Sequence, residues 1–191
     1  MNLKLLFLCF LSVILLNCKE EKKPERKQPK LEIFLTNFLK ENPNWNQNDI
    51  VNEQVNKKFE EEIEIQIKNG ILNDFPLELG EINEYSDGKY AAVFSSHYIK
   101  SDAIDYQNIL YNTNFDVIGL IPKDKISILQ KDKTYTIKGT FKKFLTGDFR
   151  DYINGMVYTP SVEISKDMSN TDVSIGIILM EISEIKEVPK L

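Results

Sequence analysis

Residues 134–141 read Thr134-Tyr135-Thr136-Ile137-Lys138-Gly139-Thr140-Phe141, the most regular two-residue alternation in the chain. The odd-numbered positions are apolar or glycine, and the even-numbered positions are threonine or lysine. Successive side chains of a β-strand point to opposite faces, so the pattern predicts a strand with one face buried and the other in water. Half-buried strands of this kind are typical of antiparallel sheets.

Further strands are predicted on both sides of this segment. Residues 173–182 are nearly all apolar, which is typical of a central strand that is covered on both faces. The turn sequence Ser86-Asp87-Gly88 predicts a hairpin between strands that include residues 77–79 and 90–98. Another strand is predicted over residues 115–121, where a proline stops it.

Two helices are predicted ahead of the strands. Apolar residues recur at helical spacing between residues 31 and 39, and Pro43 ends that helix. In residues 49–69 apolar side chains recur at every fourth position, up to the stop signal Gly70. Residues 62–68 also alternate as a strand would, but five matches to the helical spacing outnumber three to the strand spacing, so we expect a helix.

Two segments resemble parts of the OB-type barrel family. Residues 128–141 resemble the short helical turn and charged turn that lead into its fourth strand, together with that glycine-containing strand itself. Residues 175–185 resemble its fifth strand. The resemblance implies a five-stranded, partly open Greek-key barrel. An unclosed α+β sheet with helices on one face would give the same pattern. The predicted fold class is α+β, with two N-terminal helices over residues 31–70 and a mainly antiparallel OB-like β-barrel or curved sheet over residues 71–191.

The N-terminus has the pattern of a secretory leader. Lys4 precedes residues 5–16, a run of twelve in which only Ser12 is polar. This length suits a signal-peptide core and is shorter than the roughly 20 apolar residues that a membrane-spanning helix needs. Residues 1–17 are therefore predicted to be a signal peptide.

The end of that run, Leu15-Leu16-Asn17-Cys18, resembles the lipobox of bacterial lipoproteins, with Asn17 where glycine, alanine or serine is commonest. The resemblance implies cleavage before Cys18 and attachment of lipid to its thiol and its new amino group. Each buried methylene contributes about 0.8 kcal/mol to membrane binding, so two or more acyl chains give stable attachment. A plain secreted protein and an uncleaved membrane anchor are the alternatives. We expect Cys18 to be the lipidation site, and this lipid to hold the protein on the membrane.

A charged segment follows this cysteine. Nine of the twelve residues 19–30 are charged, six of them basic, and Pro24 and Pro29 interrupt any helix. Residues 18–30 are therefore predicted to carry the lipid and form a flexible tether, with a reach of about 37 Å when extended. The other cysteine, Cys9, lies in the predicted leader, which leaves no thiol for a disulfide or a thiolate metal site.

Aromatic and basic residues come together in the connection between residues 144 and 172. In an OB-type barrel this loop would flank the binding face. Rings next to cations suit base stacking and phosphate contacts, but the same rings would also serve to close the end of the barrel. The net charge of −5 argues against nucleic acid, so a protein or peptide is the expected partner. The candidate ligand-facing residues, beside Lys142 and Lys143, are Phe144, Phe149, Arg150, Tyr152 and Tyr158.

Motifs of known catalytic or cofactor sites are missing from the sequence. It contains no HExxH, GxGxxG, P-loop, GxSxG or EF-hand spacing. Ser96 and His97 are neighbours on a predicted strand, where their side chains point to opposite faces and do not pair as nucleophile and base. We therefore predict a protein that is not an enzyme, with no catalytic residue, no cofactor and no metal site.

The composition, with 42% hydrophobic and 28% charged residues, is that of a globular protein. The sequence as a whole predicts a lipid-anchored envelope protein, attached to the outer membrane, that acts as a non-catalytic binding or scaffolding module. The alternative from another class is an envelope hydrolase with paired carboxylates such as Asp148, Asp151 and Glu163, which requires two of them about 5–9.5 Å apart. A surface-exposed, adhesin-like lipoprotein is the third interpretation.

Overall fold

The computed structural model describes residues 28–96, 108–146, 149–150, 157–158, 160–167 and 170–188. The predicted leader, Cys18 and most of the predicted tether lie outside these residues. Within them the chain forms helices followed by a mainly antiparallel sheet, which is an α+β arrangement. The helices are α1 (Lys30–Glu41) and α2 (Asp49–Lys68).

Helix α2 has a side-chain cap at its start and ends just before the predicted stop signal. Asn48 caps its start, since the side-chain oxygen accepts a hydrogen bond from the Val51 amide over 3.0 Å. Just beyond its end Gly70 has a φ of +78°, the left-handed conformation that glycine adopts without a steric penalty. Residues 62–68, which also alternate as a strand would, lie inside this helix.

The two helices pack through an aromatic cluster. Phe38 of α1 and Phe59 of α2 are buried, with ring centroids 5.2 Å apart. Phe34 lies 6.0 Å from Phe38 and 6.4 Å from Phe59, so the three rings contact one another. Each such pair contributes about 0.5–1.5 kcal/mol beyond the area that it buries. The cluster therefore fixes α1 against α2.

Eight strands follow in the part of the chain that the structure describes, and they form two sheets. The strands are β1 (Leu77–Ser86), β2 (Lys89–Ser95), β3 (Thr113–Ile121), β4 (Thr134–Leu145), β5 (Phe149–Arg150), β6 (Val157–Tyr158), β7 (Glu163–Asp167) and β8 (Asn170–Glu187). Six of them form one sheet in the order β3–β2–β1–β4–β8–β7, and β5 pairs with β6. Short 3₁₀ turns precede β3 (Ile109–Asn112) and β4 (Lys123–Ile128).

A parallel pairing of β3 with β8 joins five strands into a ring of hydrogen bonds. The ring runs β1, β2, β3, β8, β4 and back to β1. All other pairings in the described sheets are antiparallel. The contact between β1 and β4 is short, because only Leu77 with Tyr135 and Glu78 with Thr134 are paired.

Side chains fill the inside of this ring. Phe94 and Tyr135 meet edge to face with centroids 6.3 Å apart, and both are buried. Ile182 lies so close to Gly119 that a Cβ at position 119 would be 2.7 Å from its Cγ1 atom. The buried Tyr135 hydroxyl accepts a hydrogen bond from the Gln130 amide over 2.8 Å, which satisfies its polar atom. The ring therefore encloses a packed hydrophobic core.

Helix α2 closes the edge of the sheet at β7. The side chain of Asn56 accepts a hydrogen bond from the Ile164 amide over 2.7 Å and donates one to the Ile164 carbonyl over 3.2 Å. One amide side chain thus satisfies both backbone groups that a neighbouring strand would bind. The contact also holds α2 against the sheet, although Asn56 and Ile164 are 108 residues apart in the sequence.

Gly119→Ala is expected to destabilise the fold, whereas Gly80→Ala is not. At position 119 the new methyl would lie 2.7 Å from Ile182 Cγ1 and 3.2 Å from Phe94 Cε2, and overpacking of this kind costs about 1–3 kcal/mol. At position 80 the methyl would lie 3.6 Å from the Val93 carbonyl oxygen, an ordinary contact. Urea unfolding of both variants measures the difference. Equal unfolding midpoints would contradict the packed interior.

Asn56→Ala is expected to lower the free energy of unfolding by about 1–3 kcal/mol, because the Ile164 amide and carbonyl lose their partner. The matched control is Asn37→Ala on the exposed side of α1, with an expected change within about 0.5 kcal/mol. Hydrogen exchange at the Ile164 amide should accelerate in the first variant alone. An unchanged exchange rate there would show that Asn56 does not close the sheet edge.

Candidate functional site

The outward side chains of β2, β3 and β8 form an apolar surface, which we call the outer apolar face. It consists of Ala91, Val93, Ile118, Leu120, Ile177 and Leu179. Strand alternation places these residues outside, because the residues between them, such as Phe94, Val117 and Ile178, are buried in the core. Ile177 is only 5% exposed, whereas the other five are partly exposed. The wall of the strand ring is thus apolar on both sides at this point.

Strand pairing arranges the outer apolar face in rows. Val93 lies opposite Ile118, which is paired in turn with Leu179 of the parallel strand β8. Ala91 lies opposite Leu120 in the next row. Opposite side chains of antiparallel strands have Cβ atoms about 4.5–5.5 Å apart. The members of a row therefore form one continuous apolar strip across the strands.

Charged groups border this face on the side of β4. Lys143 is exposed and is paired with Leu179 across the β4–β8 ladder. The Lys142 ammonium lies 2.6 Å from the Glu181 carboxylate, and this hydrogen bond and charge lower the pKa of Glu181 below its ordinary value. The carboxylate is therefore ionised at neutral pH, and the pair is lost only as the pH falls through the lowered pKa. Lys142 is neutralised by Glu181, and Lys143 adds an ammonium at the end of a row.

A second polar border lies at the other end of the face. The Ser95 hydroxyl donates a hydrogen bond to the Asp116 carboxylate over 2.5 Å, and the two residues are paired across β2 and β3. Asp116 is paired in turn with the buried Ile177. The outer apolar face therefore has polar groups at its end and side, the arrangement of an apolar centre with a polar rim that is common in protein interfaces.

The predicted ligand-facing loop is only partly described. Phe144 is partly buried, packs on the core, and meets the ring of Phe141 edge to face with centroids 5.3 Å apart. The Lys68 ammonium of α2 lies 5.6 Å from the centroid of Phe141. Phe144 therefore packs against Phe141, whose ring in turn faces the Lys68 ammonium of α2.

The remaining residues of that loop lie in or beside the β5–β6 ladder. Phe149 is paired with Tyr158, and Arg150 with Val157. The backbone thus brings Phe149 and Tyr158 to directly opposite positions. Tyr152 lies outside the described residues.

Of the three candidate carboxylates of a hydrolase, Glu163 alone lies among the residues that the structure describes. Glu163 lies in β7, where its carboxylate accepts a hydrogen bond from the Ser161 hydroxyl over 3.0 Å. Asp148, Asp151 and His97 lie outside the described residues. Among the residues that the structure describes, no group of three or more histidine, cysteine, aspartate or glutamate side chains could hold a metal ion. None of the helices described is long and apolar enough to cross a membrane.

The local sequence pattern does not predict the outer apolar face. Its signal is present in β2 and β3, where apolar residues occupy both the inward and the outward positions instead of alternating with polar ones. A strand with this pattern is covered on both sides, either by another part of the same chain or by a partner. The strand pairing, which the sequence does not show, brings the outward residues together.

Comparisons of the chain with protein-family models, with curated proteins and with solved structures gave no match. The functional proposal therefore rests on the residues of this chain alone. Of the surfaces that the structure describes, the outer apolar face combines apolar rows with a charged border.

Proposed function

We propose that this chain is a lipid-anchored protein of a bacterial cell envelope, whose β domain is an OB-type barrel that binds a protein or peptide without catalysing a reaction. The observation that carries the binding part is the outer apolar face, bordered by Lys143 and the Lys142–Glu181 pair. The lipobox resemblance at Cys18 carries the anchoring part.

The strand connections support the OB-type interpretation. A ring in the order β1, β2, β3, β8, β4 consists of four antiparallel contacts and one parallel contact between β3 and β8. A five-stranded Greek-key barrel that is partly open has this kind of arrangement. The short pairing of β1 with β4 is the place where such a barrel would open.

A partner has to bind outside the barrel, because Phe94, Tyr135 and Ile182 fill its interior. The outer apolar face suits a peptide better than a nucleic acid, since its rows carry hydrocarbon side chains and the net charge of the chain is −5. Phosphate groups need clustered lysine and arginine side chains. Apolar side chains of a peptide gain about 25 cal/mol for each Å² that they bury.

The size of the face indicates how much of a partner it holds. A row across β2, β3, β8 and β4, from Val93 to Lys143, spans three strand spacings, or about 14 Å. An extended segment of four or five residues covers that distance, at about 3.3 Å per residue. A stable dimer of two copies buries roughly 800 Å² on each partner, several times the area of two rows of about 14 Å by 7 Å each. The face therefore suits a short apolar segment with a carboxylate placed against Lys143.

The charged residues 19–29 support attachment at a distance from the membrane; Lys30, predicted to end the tether, is the first residue of α1. They contain eight charged side chains and two prolines, a composition that forms no core of its own. An extended tether of eleven residues would let the domain bind a partner about 34 Å from the lipid surface. The two parts of the proposal thus belong together: the lipid holds the protein on the membrane and the outer apolar face binds the partner.

Lipid attachment is expected to depend on one of the two cysteines. In cells grown with labelled palmitate, Cys18→Ser should abolish incorporation of the label, because the residue that carries the lipid is removed. Cys9→Ser is the matched control and should keep full incorporation, since this residue lies in the predicted leader. Mass spectrometry of the mature N-terminus checks the cleavage position. Label in both variants, or an unmodified thiol at position 18, would refute the anchoring proposal.

Peptide binding is expected to depend on the centre of the outer apolar face. Heptapeptides displayed on phage and selected on the purified protein should be rich in apolar residues. Ile118→Lys should weaken their binding at least tenfold, since burial of one isoleucine contributes about 1.5–3 kcal/mol. The control is Ile128→Lys, at a residue that is 54% exposed outside this face, and it should bind as the wild type does. Equal binding by the two variants would contradict the proposed site.

A further inference from the structure

A second site lies on the helices, away from the outer apolar face. The N-terminal turn of α1 and the C-terminal turn of α2 border a cleft of about 280 Å³. Its lining residues are Lys30, Ile33, Phe34, Gln66, Asn69 and Ile71. The volume equals about nine times the roughly 30 Å³ that one water molecule occupies in the liquid. The cleft therefore has room for a small ligand or for one end of a larger one.

The end of α2 shapes one wall of the cleft. The Gly70 amide donates a hydrogen bond to the Ile67 carbonyl, and the Ile71 amide donates one to the Gln66 carbonyl over 3.0 Å. This is the Schellman pattern, in which a left-handed glycine turns the chain back across the helix end. The turn buries the side chain of Ile71, which is 6% exposed. Asn69 stays exposed at the edge of the cleft.

The lining residues divide into an apolar floor and a polar rim. Ile33, Phe34 and Ile71 supply hydrocarbon and an aromatic ring, and Ile33 is 45% exposed at the opening. The polar lining residues are Lys30, Gln66 and Asn69, whose side chains end in an ammonium and two amide groups. An ammonium donates hydrogen bonds and accepts none, and side-chain amides donate as well. The rim therefore favours an anionic head group, and the floor favours an aliphatic chain.

We propose that this cleft binds an aliphatic anion, a hydrocarbon chain that ends in a carboxylate or a phosphate. The head group pairs with Lys30 and the amides, and the carbons next to the head group lie against Ile33, Phe34 and Ile71. Two sources supply this chemistry, a free fatty acid and the anionic lipid of a membrane. The proposal depends neither on lipidation of Cys18 nor on the outer apolar face, because it uses only residues of α1, α2 and the turn after α2.

Photo-crosslinking tests the site and separates the two sources. The purified full chain is reconstituted in phosphatidylcholine vesicles with one of three diazirine probes: decanoate, decanol or phosphatidylglycerol labelled in its acyl chain. Mass mapping then locates the labelled peptides. We expect an anionic probe to label the peptides that contain Ile33, Phe34 and Ile71. Labelling by decanoate alone identifies a fatty-acid site, and labelling by phosphatidylglycerol identifies a membrane-lipid site.

The charge requirement has a matched pair of variants. Lys30→Gln should reduce labelling by the anionic probes about tenfold and leave labelling by decanol unchanged, since glutamine keeps a hydrogen-bond donor but lacks the positive charge that pairs with the anion. Lys40→Gln, at an exposed lysine in the last turn of α1, should label as the wild type does. Both lysines are exposed, so thermal unfolding should be unchanged in both variants. Equal labelling by the two variants, or no anionic probe in the cleft, would overturn the proposal.

Discussion

The parallel pairing of β3 with β8 is the constraint on which the other features of the sheet depend. It joins the two ends of a chain of antiparallel strands, and the closed ring then separates inward from outward side chains. The register is set by one irregularity near its start, where Gly176, with a φ of +70°, follows an extra residue in β8. A shift by one residue would exchange the buried Ile178 with the outward Ile177. The core and the outer apolar face are therefore two results of one register.

The pairing of β4 with β8 has two irregularities. β8 pairs with β3, β4 and β7, and its register with β4 shifts at Lys138–Gly139 and at Phe141–Lys143. Gly139 is needed at the first, because a Cβ there would lie 2.4 Å from the Glu181 carbonyl oxygen. The second shift reverses the side-chain phase, so Phe144 turns inward with Phe141 and Lys143 turns outward beside Leu179. The border of the outer apolar face thus depends on a bulge.

These irregularities explain which features the sequence predicts. Tyr135 and Ile137 alternate with polar residues in the sequence of β4, and both are buried. A half-buried strand can be predicted in this way because its buried and exposed positions differ in polarity. The outer apolar face produces no such alternation, since Val93 and Ile118 lie between residues that are also apolar. Its assembly depends on which strands are neighbours, a long-range property. Phe144 is a ligand candidate by its aromatic and basic neighbours, but its place against Phe141 follows from a bulge that local composition does not reveal.

Helix α2 is attached to the sheet that carries the outer apolar face, and its C-terminal end borders the proposed cleft. At one end Asn56 binds both backbone groups of Ile164 in β7, and at the other the Lys68 ammonium lies over the ring of Phe141 in β4. The helix is therefore held to the sheet at two points that are three turns apart. Gln66 and Asn69, which border the cleft, lie within two residues of the second point. A rim that is fixed before a ligand arrives loses less conformational entropy on binding, so even a shallow cleft can discriminate between head groups by charge.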